Sequence, residues 1–240
     1  AIRGRLDEAE RLVDELMGHA GSTSETAFRI FSGVALGCLW WQQGRLGDLR
    51  AAIETLIEDQ PEWAERIKVL AALVYAESGD VAAADAILDE FVETHFTNVD
   101  PSGLWLLLMT TLAHTAVRAG NTEAAAAIEP AIEPYADRIA TPGYFSMGPV
   151  ATALGSLATA QDHYDDAERH FRSATELCER WDLRSFLAMT RLRWAQMLTR
   201  RDRPGDHDQA RDLATKALTA AEEIGMQGLA DEARDLLDGR

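Results

Sequence analysis

The chain has 240 residues, with 23 lysines and arginines against 40 aspartates and glutamates, a net charge of −17. That acidity excludes a surface built to grip nucleic acid or an anionic membrane, and a hydrophobic fraction of 47% with 26% charged residues excludes general disorder. Two distant cysteines, Cys38 and Cys178, make neither a disulfide framework nor a zinc pattern, and no apolar run approaches the ~20 residues of a membrane span, so the expected setting is the cytoplasm.

Alanine is the commonest residue at 40 positions, and Leu, Glu and Arg are also frequent. These are strong helix formers, and strand-like β-branched alternation is almost absent, so the predicted class is all-α. In chain order, residues 1–17 read as half a unit: a turn at Gly4 and a helix carrying Ala9, Leu12, Val13 and Leu16. Its first helix would precede Ala1. A helix-pair unit cannot bury its apolar face alone, so Ala1 is expected to be a boundary inside a longer chain. The small, polar stretch Gly18–Glu25 reads as a loop.

Helix pairs are then predicted at 26–57, 64–93, 104–135, 150–179 and 185–222, turning at Gly44, Gly79, Gly120, Asp162 and Gly205. A capping helix follows at 226–238. The turns recur every ~35–43 residues, the range of helical repeat arrays. A small residue stands before each turn opposite a partner after it: Gly37 with Leu49, Ala72 with Ala84, Ala113 with Ala125, Gly155 with Ala167, Ala195 with Ala210. Small side chains are needed where antiparallel helices cross most closely. The expected fold is one right-handed α-solenoid of antiparallel helix pairs spanning 1–240. Pro130 lies inside a predicted helix, where it should kink or break it. The aromatic pair Tyr144 and Phe145, in the Pro- and Gly-rich stretch Pro130–Pro149, is read as a contact loop, with a lid tucked onto the next helix pair as the competing reading.

Leu154-Gly155, Tyr164, Ala167, Phe171 and Ala174 resemble the signature of a tetratricopeptide (TPR) repeat. Leu36-Gly37, Trp40 and Gly44 repeat its first half, and Trp194-Ala195, Ala210, Ala214 and Ala217 repeat most of it. A second resemblance runs through Ala188–Arg191, Arg203–Asp206, Ala210, Ala217-Leu218 and Ile224–Met226. It is to the C-terminal TPR-like tails of actinobacterial multidomain AAA/STAND ATPases, which are LuxR-type regulators or nucleotide-cyclase-linked. The TPR resemblance implies a concave groove lined by the first helix of each unit. It places Phe31, Val34, Cys38, Trp41, Arg66, Val69, Leu73, Leu107, Thr110, His114 and Arg118 there, followed by Thr152, Ser156, Thr159, Met189, Gln196 and Arg200. The competing reading packs Trp41, Leu73 and Leu107 between neighbouring units.

Chemical motifs are scarce. No phosphate-binding loop is present and neither Lys68 nor Lys216 follows a glycine-rich turn. Asp162, His163, Asp166 and His170 have a metal-like spacing, but repeat packing turns that face to solvent. Cys178 reads as a packed thiol, and the acids at helix starts as partners of the helix dipole. No catalytic residue, cofactor or metal is assigned. The expected function is a non-catalytic protein-interaction or regulatory domain, the C-terminal arm of a larger signalling ATPase or transcriptional regulator. It would bind a protein, a peptide or other domains of its own chain. The alternative is a stand-alone TPR adaptor or peptide receptor. The unpaired face at Leu6, Leu12 and Val13 would favour end-to-end self-association.

Overall fold

A computed structural model describes residues 6–18, 25–59, 64–99, 101–143 and 145–239. Among them the chain is helical almost throughout: α1 (Leu6–Gly18), α2 (Glu25–Gln43), α3 (Arg50–Asp59), α4 (Ala64–Glu77), α5 (Val81–Glu93), α6 (Trp105–Ala119) and α7 (Thr122–Ile132), then α8 (Val150–Ala160), α9 (Tyr164–Trp181), α10 (Arg184–Arg201), α11 (Asp206–Ile224) and α12 (Gln227–Asp238). Short 3-10 turns precede α3 and follow α7, and a two-residue antiparallel pair, β1 (Ile139–Ala140) with β2 (Gly148–Pro149), lies between α7 and α8. Among these helices none is long and apolar enough to cross a membrane.

The turn chemistry builds adjacent helices into packed pairs. Asp80 and Asn121 cap α5 and α7, their side chains accepting from the Ala83 and Ala124 amides at 3.3 and 2.8 Å, which satisfies amides that a helix start leaves unpaired. Gly120 ends α6 with φ at 75°, a left-handed conformation cheap only for glycine. At two other turns Asp162 and Asp202 adopt that conformation, which a short polar side chain tolerates. Helices α4 and α5, α6 and α7, α8 and α9, and α10 and α11 pack as neighbours, and α4, α6, α8 and α10 touch in succession.

The small residues sit at the crossings. Ala72, Ala84, Ala113, Ala125, Ala167 and Ala195 are fully buried, and a Cβ placed on Gly37 would meet Leu49 at 3.4 Å. Gly155 differs from expectation. Its Cβ would stand 2.7 Å from the Phe171 ring, one turn beyond Ala167, so the glycine makes room for an aromatic. Phe171 is fully buried and has nowhere to go. Gly155→Ala is therefore expected to destabilise by about 1–2 kcal/mol despite its gain in helix propensity. Gly37→Ala, with an ordinary contact, should be neutral or stabilising; urea unfolding of both variants checks this.

Pro130 acts as a terminator: α7 runs two residues past it and gives way to a 3-10 turn at Glu133–Tyr135. The chain then forms a strap, β1–β2 and the residues between. The Ser146 hydroxyl and the Met147 amide both donate to the Ala140 carbonyl, at 3.1 and 3.0 Å. The strap tucks inward: Phe145 is only 8% exposed and packs in the main core. This corrects the contact-loop expectation, because apolar burial outweighs display of the ring. Tyr144 lies outside the described residues, as do most of the Gly18–Glu25 loop and the Gly4 turn.

The last helix returns to the second. Helix α12 packs on α11 and α10 and also on α2. There Gly44 and Gly228 touch backbone to backbone: a Cβ on Gly44 would stand 2.7 Å from the Gly228 Cα. One apolar cluster unites Leu6 and Leu39 with Met189, Leu192, Ile224, Met226, Leu229 and Ala233. Leu6, expected to be exposed on an unpaired face, is thus buried, in one cluster with residues of α10, α11 and α12. Leu12 remains 46% exposed, and the Val13 side chain lies outside the described residues.

The connection between α10 and α11 is clamped. Arg201 donates to both oxygens of Asp206, at 2.8 and 2.7 Å, and to Glu168 of α9 at 2.6 Å. The Arg203 amide also donates to Asp206, at 2.9 Å. Asp206 opens α11, where a carboxylate also favours the helix dipole. The Arg201 guanidinium holds the Asp206 carboxyl down at about 2 against the smaller opposing effect of burial.

Candidate functional site

The inner ends of α2, α4, α6, α8 and α10 converge, with one face of α12, on a pocket of about 230 Å³. Each helix contributes through its periodicity. His114 and Arg118 are four apart on α6; Met189, Arg193 and Gln196 follow at i, i+4 and i+7 on α10, spacings that share one helical face. Trp41 of α2, Glu77 of α4, Ser156 of α8 and Glu232 of α12 complete the polar wall.

Two ion-pair clusters span it. Glu77 accepts from Trp41 Nε1 at 3.2 Å and from Arg118 Nε at 3.1 Å, so one carboxylate joins α2, α4 and α6. Across the pocket Arg193 grips Glu232 with both terminal nitrogens, and Gln196 accepts from Arg193 at 2.9 Å while donating to Glu232 at 3.4 Å. Burial works to raise the Glu232 carboxyl, but the Arg193 charge and hydrogen bond, helped by Arg118, leave it below its ordinary value. Arg193, disfavoured as a cation by burial, is held protonated above its ordinary value by Glu232.

His114 lies between the clusters, its ring 4.7 Å from that of Trp41 and tilted by 51°. Burial lowers its pKa to about 4, outweighing the hydrogen bond to the Met147 carbonyl, so it is neutral at pH 7. A carbonyl only accepts, so the contact at 3.3 Å puts the proton on Nε2 and leaves Nδ1 with its lone pair. With two arginines, two glutamates and a neutral imidazole, the pocket carries no net charge. Ser156 donates back to the Thr152 carbonyl at 3.1 Å, with no base set on its hydroxyl.

Of the groove residues expected from the sequence, Trp41, His114, Arg118, Ser156, Met189 and Gln196 meet in this pocket. Cys38 does not: it is buried against Met147, with the sulfurs 3.8 Å apart, and burial pushes its thiol up to about 12. Arg200 is exposed at the turn and pairs with Asp162 at 2.8 Å. The side chains of Phe31 and Arg66 lie outside the described residues. Glu77 and Arg193 were missed although each stands four residues from a chosen position, Leu73 and Met189. Glu232 had no local signal, because the packing of α12 against α10 brings it in.

The residues spaced along Asp162–His170 do not gather into one cluster. His170, expected to face solvent, is 2% exposed, sits 3.3 Å from Glu133, and is held below its ordinary pKa by burial. Among the described residues no group of three or more His, Cys, Asp or Glu side chains is placed to hold a metal ion. Cys178 is buried, and burial lifts its thiol to about 12, as a packed thiol requires. Compared with known proteins, the chain matches no family model, no curated protein and no solved structure.

Proposed function

We propose that this chain is a TPR-like right-handed α-solenoid acting as a non-catalytic interaction and regulatory domain in the cytoplasm, the C-terminal arm of a larger signalling ATPase or transcriptional regulator. The observation that carries this reading is the convergence of the inner helix faces on one pocket whose charges are all mutually neutralised. A ligand that enters must take over one side of an ion pair. A carboxylate of a partner protein would replace Glu232 on Arg193, and a cationic side chain would replace Arg118 on Glu77. Binding is then an exchange, favoured for a partner that supplies the matching charge and disfavoured for an apolar one. Because Glu232 belongs to α12 and Arg193 to α10, the first exchange loosens α12 from α10 and couples occupancy to the placement of the last helix.

Peptides selected from a random display library on the full chain test this. They are expected to carry an acidic side chain, to weaken about tenfold or more with Arg193→Ala, and to tighten with Glu232→Gln, which frees Arg193. Selected peptides indifferent to both changes, or nucleotide turnover abolished by His114→Ala, would contradict the reading.

A further inference from the structure

We propose that a second cavity, separate from the charged pocket, is a binding site for a small uncharged molecule with an apolar body and a single hydrogen-bond donor. The cavity lies between α1, α2, the β1–β2 strap and the start of α10, and has a volume of about 410 Å³. That falls in the range of small-molecule sites. Among the described residues no charged side chain lines it; its walls include Ala35, Leu39, Ile139, Phe145, Leu183 and Phe186. Leu12, nearly half exposed, also belongs to the wall. A ligand body would cover it.

Among the described residues the polar side chains of the wall are spoken for, with one exception. The Ser146 hydroxyl donates to the Ala140 carbonyl and accepts from the Gly148 amide. The Thr141 hydroxyl donates to the Phe145 carbonyl and accepts from the Gly143 amide. Gln42 is different: it is 3% exposed and its Oε1 has no partner. Its Nε2 donates to the Cys38 carbonyl at 3.1 Å. Turning the amide over would set two acceptors against each other, so the orphan is the oxygen. Buried acceptors in folded proteins are nearly always paired. A ligand hydroxyl or N–H, held in place by an apolar body, supplies the missing donor. An anion or a second polar group would have no partner and is rejected.

The probes for the test are p-phenylphenol, its methyl ether and the matching carboxylate, titrated calorimetrically into the full chain. The phenol is expected to bind at one site about tenfold more tightly than the ether, which accepts but does not donate. The carboxylate should not bind. Gln42→Leu, which removes the orphan acceptor, is expected to keep the fold and to equalise phenol and ether. Ala35→Phe, filling the cavity, should abolish both, with the helical circular dichroism unchanged. Equal affinity of phenol and ether for the wild type, absence of saturable binding, or phenol binding that survives Ala35→Phe would overturn the proposal. None of these outcomes bears on the charged pocket, which the peptide experiment reads independently.

Discussion

Acidification is expected to weaken the fold in two separate steps, one between pH 6.5 and 4 and one below pH 4. The first belongs to His114, whose pKa falls from 6.5 to about 4 on burial. Across that window the unfolded chain holds a proton that the native ring refuses, so stability falls as pH falls. The full effect is about 3 kcal/mol, reduced by the residual exposure of the ring. His170, lowered for the same reason, acts in the same direction. The second step belongs to Asp206, lowered from 3.8 to about 2 chiefly by Arg201. Its contribution is fully present above about pH 4 and is lost as pH falls through 2, for about 2 kcal/mol. Urea midpoints taken from pH 7 to 3 should show His114→Gln flattening the upper step, with His170 supplying the remainder. Asp206→Asn should cost about 2–4 kcal/mol at pH 7, because it leaves Arg201 buried with only Glu168, and that cost should shrink below pH 4. A His114→Gln profile parallel to the wild type would contradict the burial of a neutral ring.

The helices were legible because their signals are local. Gly79-Asp80 and Gly120-Asn121 each write a stop and a start in adjacent residues, and the helix ends fall there. Ala72, Ala84, Ala113 and Ala125 announce close crossings because only small side chains permit them. More than half of the pocket followed from the same periodicity, through Trp41, His114, Arg118, Ser156, Met189 and Gln196. What escaped depends on distant parts of the chain. The burial of Cys38 is decided by Met147 on the strap, and that of Leu6 by helices more than 180 residues further on. Glu232 looked like one charge on the outer face of a capping helix. It becomes part of the pocket because α12 packs against α10, where Arg193 and Gln196 hold it. The pairing of two glycines so far apart in the chain has no pattern that a single sequence could show.

That crossing yields the second large effect. A Cβ on Gly228 would lie 2.8 Å from the Gly44 Cα, backbone that no rotamer change can move. Gly228→Val should therefore drive α12 off α2, at a cost of about 3 kcal/mol, and separate Glu232 from Arg193. The direct measurement is an intramolecular crosslink. Cysteines replacing exposed Arg45 and Gln227 flank the crossing on either side, with Cα atoms within ~12 Å by chain geometry. The native Cys38 and Cys178 are buried, with thiols pushed up to about 12, and will not compete for a short bis-maleimide. The account predicts rapid, concentration-independent crosslinking within one chain that Gly228→Val abolishes. An open array, with its ends apart, would give no intramolecular product in either background, and the converging pocket would then lose its sixth wall.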